Sequence, residues 1–252
     1  MRVARGDVYG LVVVLLVGGL FLLVPGAPLG VRAVGVLFAL VASGIVVARP
    51  VAAHRRNGRH RAWAAANGWT HVASEPALAR RWWGTPFDEP RDPEAVDVLH
   101  GVVDGYRVAS FTLRGVVRRG DSSTTREWHV VAWELPVPLP TLEIVPREVL
   151  VIGSTRTVRF GWQAFDAAWW VRADDPLHAY AVVHPELREA LIRPPALGTR
   201  MRFEHGYLLT WSDGAAEPGA VPERLAVLRM VLRSVPDYVW RDHGWGPQAV
   251  RA

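Results

Sequence analysis

The chain has 252 residues with 29 Arg, no Lys, 24 acids and no Cys, for a formal charge of +5. Lack of Cys excludes disulfides, thiolate metal sites and a Cys nucleophile. Residues 1–61 hold eight Arg against one acid, Asp7, and the remainder holds 21 Arg against 23 acids, so the excess is an N-terminal property and the rest lacks the basic footprint of a nucleic-acid binder.

Two apolar stretches open the chain, Val8–Val24 and Ala33–Ala48, neither with a charge between its ends. Seventeen residues at ~1.5 Å rise make a rod of about 26 Å, close to a ~30 Å hydrocarbon core. The second stretch reaches back to about residue 31 if Arg32 snorkels. Both read as transmembrane helices, joined by Pro25-Gly26-Ala27-Pro28-Leu29-Gly30, which cannot continue a helix. A cleaved signal peptide is the alternative for the first stretch. It lacks a clean small-x-small cleavage site and is long for that role. Gly35, Ala39 and Ser43 recur every four residues, and Gly18 and Gly19 offer a matching small surface. They read as the helix–helix packing face of the hairpin, in preference to a dimer face.

Arg2 and Arg5 precede the first span, and Arg49, Arg55, Arg56, Arg59 and Arg61 follow the second. The positive-inside rule places both termini in the cytoplasm of a two-pass protein of the cell membrane. The five Arg after the second span read as contacts to the anionic inner leaflet, at about 1 kcal/mol each. A specific lipid or polyanion site is the sharper alternative.

A basic juxtamembrane helix is expected over 51–68, ending at Gly68. A domain over 69–240 and a flexible tail over 241–252 follow. Trp69–Val72 predicts a short strand, and Ser74-Glu75-Pro76 predicts a helix start running to Trp82-Trp83. Gly84–Pro93 reads as a loop. Val96–Val103 and Tyr106–Leu113 flank Asp104-Gly105, a hairpin signal. Arg118–Arg126 reads as a polar turn and Glu127–Glu134 as the third strand of that sheet. Leu135–Pro140 cannot be a central strand. Further strands are expected near Leu142–Val145, Val149–Ile152, Thr157–Gly161 and Trp169–Ala173. Asp174-Asp175-Pro176 caps a helix through Val183, and His184-Pro185 starts another through Ile192. Met201–Glu204 and Tyr207–Trp211 form a hairpin across His205-Gly206. Pro222 opens a final helix with Val221, Leu225, Leu228, Leu232 and Val235 on one face. Hairpins with segregated helices make an α+β domain with antiparallel sheet.

No G-x-S-x-G, P-loop, H-E-x-x-H or G-x-G-x-x-G occurs. Asp174 and His178 lie four apart but fall short of the three or four ligands zinc needs. No cofactor, metal or catalytic residue is assigned. Twelve Trp are present. Strand alternation turns one of Trp169 and Trp170 away from the core, which makes the pair a candidate partner surface, with burial on both faces of the sheet as the plainer reading.

Three sets of residues carry a resemblance: Asn67-Gly68-Trp69; Leu135-Pro136-Val137-Pro138-Leu139-Pro140 before Leu142-Glu143-Ile144; and Phe165-Asp166 leading into Trp170–Asp175, with His184-Pro185 beyond. In these the chain resembles a group of uncharacterised, mainly actinobacterial membrane proteins with an N-terminal two-helix hairpin and a cytosolic domain of unknown function. The resemblance implies the architecture and carries no functional residue. The expected function is a membrane-anchored, non-enzymatic cytosolic domain that binds a protein partner or the inner leaflet. The rivals are an accessory subunit of a larger membrane complex and a membrane-associated hydrolase or transferase with a dispersed site.

Overall fold

A computed structural model of the chain describes residues 55–148 and 156–245. The two apolar stretches, their small residues Gly18, Gly19, Gly35, Ala39 and Ser43, Arg49, and the strand expected over 149–152 lie outside the described residues. Among the described residues no helix is long and apolar enough to cross a membrane. The chain divides into two units between Arg59 and His60, and the architecture below is that of the second.

The described chain opens in helix α1, residues 55–67. It stops at Gly68, whose φ of +71° is the left-handed conformation that closes a helix. The Trp69 N–H turns back to the Ala64 carbonyl at 2.8 Å. The strands are β1 (Thr70–Ser74), β2 (Arg91–Val103), β3 (Tyr106–Arg119), β4 (Ser122–Glu134) and β5 (Leu142–Pro146), then β6 (Arg156–Val158), β7 (Trp169–Ala173), β8 (Arg200–Glu204) and β9 (Tyr207–Asp213). They form one sheet in the order β1-β2-β3-β4-β9-β8-β5-β7-β6, with antiparallel pairing throughout. The helices beyond α1 are α2 (Gln163–Ala168), α3 (Pro176–Val182), α4 (Pro185–Leu191), α5 (Val221–Ser234) and α6 (Asp237–Asp242). The domain is α+β, as its hairpins and segregated helices imply.

Local chemistry explains where the elements begin and turn. Asp104 and Gly105 take φ of 51° and 84°, and Val103 pairs with Tyr106, which is the type I′ hairpin their sequence specifies. His205 and Gly206 repeat the device between β8 and β9. The Asp175 carboxylate accepts the Leu177 N–H at 2.9 Å and caps α3, with Pro176 in the first turn.

Several expectations are corrected. Ser74-Glu75-Pro76 starts no α-helix: Ser74 pairs with Val96, Glu75 N–H bonds the Ala95 carbonyl, and only a 3-10 turn over Leu78–Arg80 follows. Extension of β1 consumed the proposed cap. The Arg118–Arg126 turn shrinks to Gly120-Asp121, because Arg118 pairs with Ser123 and Arg119 with Ser122. Polar composition suggested a loop, yet two paired strands satisfy each other's backbone without burying side chains. β2 begins earlier than expected and carries two register shifts, at Arg91/Glu94 and Val96/Leu99. Asp92 and Asp97 lie within them at φ 49° and 53°. Asp tolerates this left-handed geometry better than most residues, and a bulge places it there. Finally, α6 occupies the first two residues of the expected tail.

Two apolar clusters use alternate residues of the strands. One joins Val108, Val131, Trp169, Val171 and Phe203 to helix residues such as Leu187 and Leu228. The other joins Phe111, Leu113, Trp128, Val130 and Leu209 to Leu78, Trp82 and Phe87 of the β1–β2 connection. Both faces of much of the sheet are therefore covered.

Candidate functional site

A cleft of about 250 Å³ lies where the β2–β3 turn, the end of β4, the last turn of α5 and α6 meet. The I′ turn presents Asp104, whose carboxylate accepts two hydrogen bonds from Arg229 of α5, at 2.7 and 3.2 Å. At the end of β4, Glu134 accepts two from Arg107 of the neighbouring β3, at 2.7 and 2.8 Å. The hydrogen bond from Arg107 holds the Glu134 carboxyl below the usual range against the opposing effect of burial. Glu134 is thus an ionised acceptor, and the paired hydrogen bonds fix the orientation of both carboxylates.

The walls are aromatic. Trp133 alternates with Glu134 on β4 and is buried, and the Arg229 guanidinium lies 5.9 Å from its ring. Pro236 ends the turn after α5 in extended geometry and starts α6, which delivers Trp240. The Trp245 N–H bonds the Trp240 carbonyl at 3.0 Å, which folds the chain back so that Trp245 also lines the cleft. Tyr106 comes from the start of β3. Flat apolar rings with a few fixed polar groups are the usual composition of a small-molecule site. Sequence reading missed this cleft because its residues come from three distant segments and two of its Trp stand in or beside the expected tail.

A second cluster resembles catalytic machinery and is structural. Ser110 Oγ and His129 Nε2 lie 2.9 Å apart on β3 and β4. Ser110 is 0% and His129 2% exposed, so no substrate reaches the hydroxyl. Burial, reinforced by the Arg224 charge, pushes the His129 pKa down to about 3, so the ring is neutral. Arg224 donates to Ser212, and Thr112 Oγ1 accepts the Ala216 N–H at 2.9 Å. These bonds satisfy polar groups between the sheet and its covering segments.

An ion ladder crosses β7, β5 and β8. Arg172 meets Glu143 at 3.2 Å, Arg202 meets Glu143 at 3.6 Å, and Arg202 meets Glu204 at 2.8 Å. Arg202 is buried and also donates to the Trp83 and Thr85 carbonyls. It pins the β1–β2 connection to the sheet, turning Trp82 into the core and leaving Trp83 66% exposed.

The structure disperses the residues singled out from the sequence. Trp169 is 2% exposed and belongs to the helix-side core, so it presents no partner surface. Trp170 packs on the opposite cluster beneath Arg147, whose guanidinium stands 3.6 Å from the ring centre. Trp169 is therefore buried on one side of the sheet and Trp170 is half-buried on the other. Arg55, Arg59 and Arg61 are exposed on α1 and Arg56 is half-buried. His178 is buried against His243 at 5.4 Å between ring centres, and its pKa falls to about 4, first through burial and then through His243. Among the described residues no group of three or more His, Asp or Glu is placed to hold a metal ion.

The fold defines a class: an α+β domain on one long antiparallel sheet, with a cleft at the α5–α6 corner. No family model matches the chain, and no curated protein matches it. Among solved structures it is similar to the mycobacterial trehalose monomycolate transport factor A, TtfA, with a TM-score of 0.56 at 16% identity. The match covers 72% of this chain and 96% of that one. At this identity the likeness is one of fold.

Proposed function

We propose that the chain is a membrane-tethered, non-enzymatic accessory factor in lipid transport, acting beside a larger membrane assembly. The observation that supports it most is the fold shared with a transport factor over nearly all of that protein's solved chain. This is an argument by fold analogy. It accords with the apolar N-terminal pair in the sequence and with the burial of the Ser110–His129 pair, which takes away the best candidate for hydrolytic chemistry. In this reading the hairpin 8–48 holds the domain at the cytoplasmic leaflet, Arg49, Arg55, Arg56, Arg59 and Arg61 meet anionic headgroups, and a transport protein is the partner.

Affinity purification of the full chain from its native membrane in mild detergent, followed by mass spectrometry, tests the reading. A stoichiometric integral-membrane transport protein is the expected companion. Recovery of the chain alone, or with soluble enzymes only, contradicts it.

A further inference from the structure

We propose that Trp83, flanked by Arg80 and Arg81, is a membrane contact of the folded domain: its indole enters the headgroup layer of an anionic leaflet, and the two guanidiniums meet lipid phosphate. This adds a contact beyond the Arg residues of the N-terminal part. It rests on the tethered reading for one point only, that a bilayer lies within reach of the domain.

The segment is built to hold an indole out in water. Leu78, Ala79 and Trp82 are buried, while Arg80, Arg81 and Trp83 are exposed. Trp82 is seated among Phe87, Phe111 and Tyr207, at 5.3, 6.2 and 5.3 Å between ring centres. The Trp83 backbone is tied on both sides: its N–H donates to Glu204 Oε1 at 3.3 Å, and its carbonyl accepts from buried Arg202. Gly84 then turns at φ +68°, where a Cβ would stand 2.9 Å from the Arg202 guanidinium. The Asp88 carboxylate closes the turn on the Gly84 N–H at 2.7 Å. Turning Trp83 inward would break these bonds and unseat Trp82. Among the described residues Trp83 is the one exposed Trp, and it belongs to neither apolar cluster. Folding has already ordered its backbone, so little further order is lost when the ring meets a surface.

Charge and surroundings select the occupant. The acids around this segment are engaged: Glu75 bonds His100 at 2.7 Å, Asp88 bonds Gly84, Glu134 bonds Arg107, and Glu204 bonds Arg202 at 2.8 Å. Arg80 and Arg81 are the exposed cations beside the indole, and the Arg81 guanidinium is steadied 4.6 Å from the centre of the Tyr207 ring. An aromatic anchor in a protein interface works inside a ring of neighbours that excludes water, and here the outward neighbours in the turn are both charged. The headgroup layer makes no such demand. An indole is stable there with its apolar body toward the acyl chains and its N–H toward water, and each nearby Arg adds attraction to anionic lipid. One Trp and two Arg make a weak contact alone. A tether on the same chain raises the local concentration of bilayer and makes a weak contact sufficient.

The test reconstitutes the full chain into nanodiscs of phosphatidylcholine with phosphatidylglycerol. Ordinary lipid is compared with lipid brominated near the top of the acyl chains, which quenches indoles on contact. Emission of the unaltered chain less that of Trp83→Phe isolates Trp83. That difference should fall at least twofold with brominated lipid. The loss should be less than half as large in discs of phosphatidylcholine alone, and in a chain carrying Arg80→Gln with Arg81→Gln. Because Trp83 joins neither cluster, Trp83→Phe should melt with the unaltered chain. Hydrogen exchange needs no variant: the amides of residues 80–84 in the unaltered chain should exchange more slowly in anionic than in neutral discs. A Trp83 signal untouched by brominated lipid overturns the proposal, whether aqueous iodide reaches the ring or a protein shields it. Equal exchange in the two kinds of disc, or quenching indifferent to both lipid charge and the Arg pair, also overturns it. Lipid quenching of Trp83 in a chain that a carbonate wash strips from the membrane would keep this contact and remove the anchor. An anchored chain with Trp83 unquenched would keep the anchor and remove this contact.

Discussion

The Trp69 indole lies where a side chain at Gly101 would stand: a Cβ there would come within 2.2 Å of the ring. Trp69 also meets Trp63 of α1 edge-on at 5.4 Å between ring centres. Gly101→Ala should therefore push the indole off β2, at a cost of about 1–3 kcal/mol. Urea unfolding of the protein and variant measures it. His129 supplies a second prediction. Its folded pKa of about 3 lies below the ordinary imidazole value of 6.5, so the folded state prefers the neutral ring. The resulting stability is fully present above pH ~6.5 and is lost as pH falls toward ~3. Melting temperatures at pH 7 and pH 4.5 should differ, and His129→Gln should flatten that slope. An equal slope in the variant would assign the loss to other groups.

The β1–β2 connection is held to its sheet by one buried cation, Arg202. Arg202→Met keeps the stem and removes the charge, leaving Glu204 and Glu143 with less compensation, and breaking a buried pair typically costs about 3–5 kcal/mol. The expected outcome is early proteolytic cleavage within residues 81–90, with the β3–β4 hairpin still protected in hydrogen exchange. Elements of this kind mark the boundary of what sequence reveals. The Asp104-Gly105 and His205-Gly206 hairpins and the Asp175-Pro176 cap were legible because a few adjacent residues encode each. The polar β3–β4 arm was not, since its pairing is satisfied by a partner strand rather than by apolar alternation. Nor were the bulges at Asp92 and Asp97, where register shifts break the period of two. The cleft was illegible for a further reason: Trp133, Arg229 and Trp240 meet only after the sheet has formed and α5 has packed on β4.

At the scale of the whole molecule, the basic N-terminal part and the nearly charge-balanced remainder of the sequence suit different tasks. The Arg cluster after the second apolar stretch suits attachment to an anionic surface, and its effect should be screened by salt. Replacing Arg55, Arg56, Arg59 and Arg61 by Gln should weaken binding of the chain to anionic liposomes by at least tenfold and leave its melting temperature nearly unchanged. Equal liposome binding would remove these residues from the membrane contact. The central claim is accessory action in lipid transport, and the most direct measurement of it is made in the native host. On depletion of the chain, lipids of the inner membrane and of the outer envelope are extracted separately and compared. The account predicts that at least one lipid accumulates in the inner membrane and declines outside while its total synthesis holds. An unchanged distribution of every lipid, with depletion confirmed, would contradict it.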